Sequence, residues 1–151
     1  MVESKPVAKE KVIARKPTVV MGTVGYDCHM VGITVLRHAL KEAGFNVVFL
    51  GALAPTQEFI DAAVESRADA IWVSSLYGMG RIDCEGFRDK CREAGLADIL
   101  IYIGGTLTTD PEAWSETKRL FEEELGFNRA YPPGTKPDGA IADLKLDLGL
   151  S

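Results

Sequence analysis

A doubly wound α/β sheet is the fold class this sequence predicts, and three observations predict it. Apolar, β-branched runs alternate with segments of helical period along the chain. The runs are apolar throughout rather than alternating with polar residues, as strands buried on both faces are. The intervening segments are long enough for the right-handed crossovers that join parallel strands.

The elements follow in order. Residues 2–16 mix Lys, Glu, Pro, Val and Ala with neither period, so residues 1–16 are expected to form a flexible basic arm and residues 17–151 the single domain. Thr18 to Val24 is a β-rich run, and Ile33, Leu36, Leu40 and Ala43 recur at helical spacing before Gly44 stops the helix. Val47 to Leu50 is a second strand. Pro55 opens a helix reaching about Ser66, and Ala70 to Ser75 is a third strand too apolar for a solvated face. A helix from about Asp83 to Ala94 closes at Gly95, and Ile99 to Ile103 is strand four, ending in Gly104-Gly105. Asp110-Pro111 offers an N-cap and a first-turn proline for a helix carrying Trp114, Phe121 and Leu125 on one side. Arg129 to Tyr131 is a short fifth strand. After a Pro-Pro-Gly turn, Thr135 and Asp138 suggest a capping box ahead of Ile141, Leu144 and Leu148. Five strands and five helices favour the flavodoxin-like (Rossmann-like) order 2-1-3-4-5, with helices on both faces.

Composition narrows the function. At 151 residues the chain fits one domain, and 17 Lys+Arg against 22 Asp+Glu leave a net charge of −5. That balance disfavours nucleic acid, whose phosphates call for a basic face. No run reaches the length of a membrane helix and the N-terminus lacks a signal-peptide core, so a cytoplasmic protein is expected. Cys28, Cys84 and Cys91 form neither an even set nor a zinc spacing, so reduced thiols are expected.

In order 2-1-3-4-5 a ligand belongs between strands one and three, beyond their carboxyl ends. The loops there are Gly25 to Gly32, Ser74 to Gly80 and Gly104 to Thr109, all rich in glycine or small polar residues. His29, one of two histidines, stands two residues after Asp27. A metal-bound imidazole needs its second ring nitrogen held, commonly by a carboxylate, and Asp27 is placed to do so. Equally, Asp27 caps the helix and His29 is an exposed residue of its first turn. The second histidine, His38, lies mid-helix beside Arg37 and Lys41 and reads as structural. A zinc site lacks paired ligand spacing, a Cys28–His29 thiol enzyme would need partners from distant segments, and Gly22, Gly25 and Gly32 match no nucleotide-binding loop. A response-regulator site would need a lysine on strand five, which is missing.

Asp27-x-His29-x-x-Gly32, Ser74-x-Leu76 and Gly104-Gly105, in this order at three strand ends, resemble the signature of cobalamin-binding domains. Gly25 to Gly32, Ala43 to Val48, Val73 to Gly78, Ile82 to Cys84, Lys90-Cys91, Tyr131 to Thr135 and Ile141 to Leu144 further resemble the small, or sigma, subunits of glutamate (methylaspartate) mutase, over about residues 17–149. The resemblance implies a base-off cofactor. His29 becomes the lower axial ligand to cobalt, Asp27 is hydrogen-bonded behind it, and the displaced nucleotide tail enters a slot beside the sheet. Asp27, Cys28, His29, Met30, Val31 and Gly32, then Ser74, Ser75 and Leu76, then Gly104, Gly105, Thr106, Leu107 and Thr108 are the implied cofactor-binding set. Small residues suit such a slot, because a Cβ at the glycines takes up cofactor volume. Thr106, where asparagine is frequent in the family, and Met79, where a more polar residue is usual, depart from the pattern without removing a ligand.

The implied cofactor is adenosylcobalamin, which carries the radical chemistry by which the family interconverts L-glutamate and threo-3-methylaspartate. The implied partner is the large E (epsilon) subunit, a barrel that holds the substrate site, in a heterotetramer of two small and two large chains. No catalytic residue is then expected in this chain, which should be inactive alone. A corrinoid methyl carrier or a cobalamin sensor shares the Asp-x-His-x-x-Gly loop and is the alternative. Such proteins usually place a helical cap ahead of the sheet, whereas only some sixteen residues precede strand one here.

Overall fold

The computed structural model describes residues 16–24, 31–52, 54–75, 84–105, 107, 110–132 and 134–150. The strands are β1 (Thr18–Thr23), β2 (Asn46–Phe49), β3 (Ala70–Ser75), β4 (Leu100–Gly105) and β5 (Arg129–Ala130). The α-helices among the described residues are α1 (Val31–Glu42), α2 (Thr56–Ser66), α3 (Phe87–Glu93), α4 (Trp114–Arg119) and α5 (Pro137–Asp147). The sheet is parallel and its order is β2-β1-β3-β4-β5, as expected.

Strand alternation sends side chains to two different cores. Val20, Ile71, Val73, Ile101 and Ile103 face α2 and α3, packing with Phe59, Phe87, Phe121 and Phe127. Val19, Met21, Trp72 and Tyr102 face α1 and α5, packing with Ile33, Leu40, Ile141 and Leu144. Both faces of β3 and β4 are therefore covered, which is why their sequences carry no polar alternation.

The helix ends obey local chemistry. Gly44 takes φ +97° after α1, and the Phe45 N–H reaches back to the Leu40 carbonyl at 3.0 Å, so the helix stops where the sequence places its glycine. Leu96 closes α3 on the Cys91 carbonyl in the same way, at 2.7 Å. The Asp110 carboxylate accepts from the Glu112 N–H at 3.0 Å, bearing out the expected cap. The segment it opens is a composite, however: a 3₁₀ turn at Pro111–Ala113, then α4, then a π-helical turn at Leu120–Glu124 that brings Phe121 into the core.

The capping box at Thr135 does not form. The Thr135 hydroxyl donates instead to the Pro132 carbonyl at 2.7 Å, and Lys136 occupies the N-cap position with no side-chain bond. Pro137 at the first turn already sets the entry angle and brings no N–H to be capped. The helix expected from Asp83 is described only from Phe87, residues 84–86 forming a turn. Gly104 and Gly105, expected just past strand four, are its last two residues.

Candidate functional site

The carboxyl rim of the sheet forms a step. Thr23 pairs with Ser74, and Ser74 with Gly104. All three lie two residues beyond Met21, Trp72 and Tyr102, and so on the same face. Tyr131 continues the row past β5, its N–H donating to the Ile103 carbonyl at 2.9 Å. Below, the row is bulky: Met21, Trp72, Tyr102, Arg129. Above, it is small: Thr23, Ser74, Gly104, and then Tyr131 at the margin. Thr23 is buried, whereas Ser74, Gly104 and Tyr131 are half-buried, so among the described residues the open ground lies over β3 and β4 on the side covered by α1 and α5.

The two adjacent glycines are there for different reasons. Gly105 has φ +100°, and a Cβ there would lie 2.1 Å from the Ser75 carbonyl oxygen, so the backbone itself requires glycine. Gly104 has no such constraint. Among the described residues, a Cβ there would meet only the Tyr131 Cβ, at an ordinary 3.7 Å. A strand interior normally disfavours glycine, and one that the fold does not require marks a place where something approaches the backbone closely. The rim residues thus fit a flat group inserted along the α1/α5 face.

The other expected site residues divide as follows. Ser75 is buried at the end of β3, and Leu107 is buried in the core under α2 and α3. Val31 and Gly32 open α1. Asp27, Cys28, His29, Met30, Leu76, Thr106 and Thr108 lie outside the described residues. His38 is on the solvent side of α1, its Nε2 3.1 Å from Glu42. Among the described residues no group of His, Cys, Asp or Glu could hold a metal, and Cys84 and Cys91 are buried. Burial pushes the Cys91 thiol up to about 11, which keeps it protonated and unreactive.

A second constellation borders the open ground, and sequence reasoning missed it. Arg129 donates from Nε and Nη2 to the two oxygens of Asp147, at 2.8 and 3.0 Å. The Tyr102 hydroxyl donates to the same carboxylate. The Tyr131 hydroxyl donates to Asp143 at 2.8 Å, and Arg129 Nη1 stands 3.7 Å from that carboxylate. Trp72, Tyr102 and Tyr131 touch one another, with Trp72 and Tyr131 stacked at 6.0 Å and 19°. Arg129 holds the Asp147 carboxyl below the usual range, with the Tyr102 hydrogen bond assisting and burial opposing. Burial, with the hydrogen bonds to carboxylates, raises both tyrosines. The spacing of Asp143 and Asp147, one helical turn apart on an otherwise apolar helix face, was the available signal.

Comparison with known proteins identifies the family. The B12 binding domain family matches residues 17–122. The glutamate mutase sigma subunits of Clostridium tetani and Clostridium cochlearium are each 51% identical to the chain over 135 residues, 89% of this chain and 98% of theirs. Among solved structures, a cobalamin-binding protein from Desulfitobacterium hafniense DCB-2 has a TM-score of 0.69 at 18% identity, covering 93% of this chain and 66% of that one, a likeness of fold. No helix among the described residues is long and apolar enough to cross a membrane. With half its residues identical over nearly the whole length of those relatives, the chain belongs to the B12-binding domain family and, within it, to the glutamate mutase sigma subunits.

Proposed function

We propose that this chain is the cobalamin-carrying subunit of a cytoplasmic glutamate mutase, an isomerase that rearranges L-glutamate to threo-3-methylaspartate. Its cofactor is adenosylcobalamin, which when bound supplies radical chemistry through its cobalt–carbon bond. A large partner subunit provides the substrate pocket, in an assembly of two small and two large chains.

The observation that carries this reading is Gly104, a strand glycine for which the described residues show no need, paired with Ser74 on β3, the strand that borders the β1/β3 switch point. In this reading His29 would hold cobalt, and Asp27 would accept a hydrogen bond from the other ring N–H, fixing the tautomer and strengthening the ligand. Ser74 and Leu76 line the slot for the displaced nucleotide tail, and Gly104 leaves it room. The tightly folded Ser75–Gly105 pairing sets the level of the rim.

The experiment is the His29→Ala variant mixed with the large subunit. Mutase turnover is expected to be abolished while the far-ultraviolet circular dichroism and melting of the small subunit stay as in the wild type. An unaltered rate would remove His29 from its assigned role.

A further inference from the structure

Helix α5 is attached to the sheet twice. Its apolar face buries Ala140, Ile141 and Leu144, enough to hold a helix of this length against β1, β3 and β4. In addition, Asp143 and Asp147 both reach the strands, where they meet Arg129, Tyr131 and the fully buried Tyr102. A partly buried ion pair adds little net stability over apolar packing, because desolvation offsets the attraction. What a forked guanidinium–carboxylate pair does add is geometry, since its two parallel hydrogen bonds tolerate neither sliding nor rotation.

The position of this network matters. Tyr131 stands beside Gly104, close enough that a Cβ at 104 would touch its own Cβ. Trp72 and Tyr102, one step below, pack against the Tyr131 ring. Movement of α5 relative to β4 and β5 would therefore shift the rings that border the ground left open at Gly104.

We infer that Arg129, Asp147 and Tyr102, with the Tyr131–Asp143 pair, form a latch that sets the width of the slot beside Gly104 and so selects corrinoids that carry a nucleotide tail. The inference rests on the reading of that ground as the tail slot. These are positioning residues that act through the aromatic border.

Adenosylcobalamin and adenosylcobinamide share the corrin, the cobalt and the upper ligand and differ in the tail. Equilibrium dialysis of each against the full-length chain measures the preference. The wild type is expected to favour adenosylcobalamin. Asp147→Asn and Tyr102→Phe should each reduce that preference about fivefold, the worth of roughly one hydrogen bond, with the affinity for adenosylcobinamide unchanged. Tyr102→Phe keeps the ring and removes a single hydroxyl, so it serves as the test should Asp147→Asn fail to fold. Variants that keep the wild-type ratio, or lose affinity for both compounds equally, overturn the latch. A wild type with no preference overturns the tail-slot reading itself, and the latch with it.

Discussion

The two faces of the sheet are built on different principles. Under α2 and α3 the core is hydrocarbon: Phe59–Phe87 and Phe121–Phe127 meet edge to face and Phe87–Phe127 is tilted, with centroids 5.8 to 6.3 Å apart. Under α1 and α5 the aromatic residues nearest the rim, Trp72, Tyr102 and Tyr131, carry polar atoms, the strands end in small residues, and α5 is held by carboxylates. The first face is filled to the rim, where even Leu107 is buried. The second stops one residue short, at Ser74 and Gly104. The comparison teaches that one face makes the domain stable while the other leaves room and keeps its margins in place.

Four measurements sharpen or break that contrast. The largest effect is expected on the filled face, where Phe87→Ala leaves a cavity worth about 3–5 kcal/mol in urea unfolding, against about 1.5–3 kcal/mol for Tyr102→Phe, which loses a hydrogen bond to a carboxylate, on the other face. Equal losses would mean that the two faces contribute alike.

The second contrast lies within one dipeptide. Gly105→Ala forces a Cβ onto the Ser75 carbonyl at a positive φ and should cost about 3 kcal/mol, whereas Gly104→Ala should change stability by no more than about 0.5 kcal/mol while weakening cobalamin binding. If Gly104→Ala unfolds the protein, glycine at 104 serves the fold after all.

The third concerns acid. Arg129 depresses the Asp147 carboxyl in the folded state, so its contribution is fully present above the unfolded carboxyl value, about 3.9, and is lost as the pH falls through the lower folded value. Urea midpoints should therefore drop below about pH 4, and drop less steeply in Asp147→Asn. An identical acid profile in the variant would mean that the α5 latch does not titrate with folding.

The smallest effect is a labelling rate. Cys91 is buried and its thiol is raised to about 11, so iodoacetamide at pH 8 should modify Cys84 and Cys91 only after unfolding. Rapid labelling of Cys84 or Cys91 in the native chain would show that the filled face opens.

The strands and their order were legible because burial on both faces leaves an unbroken apolar record, as Ala70 to Ser75 demonstrates with bounds that match the structure residue for residue. The glycine stops at Gly44 and Gly95 were equally plain, since positive φ selects the residue type. Thr135 misled because a hydroxyl has several nearby acceptors, and the Pro132 carbonyl competes with the helix end. The π-helical turn at Leu120–Glu124 has no sequence signature.

For the site, the resemblance points to Gly104 and Gly105 together, yet only the backbone separates a glycine required by its φ from one that leaves space. For Arg129, Asp147 and Tyr102 the Asp143/Asp147 spacing hinted at a polar attachment but not at its partners. Each partner is distant in sequence and ordinary in composition, and only the fold brings them together. Arg88 is a similar case, joining α3 to the Gly126 and Ile99 carbonyls and to Asn128.

The most direct test of the account is the electron paramagnetic resonance spectrum of cob(II)alamin bound to the full-length chain, with the large subunit added if binding is weak, prepared with natural and with nitrogen-15 histidine. The axial nitrogen splits the cobalt lines. Replacement of a triplet by a doublet on labelling is the predicted result, placing a histidine on cobalt and leaving the nucleotide tail displaced, free to occupy the slot at Gly104. A triplet in both samples would show that the bound cofactor keeps its own base, and the account of the α1/α5 face as a tail slot would be contradicted.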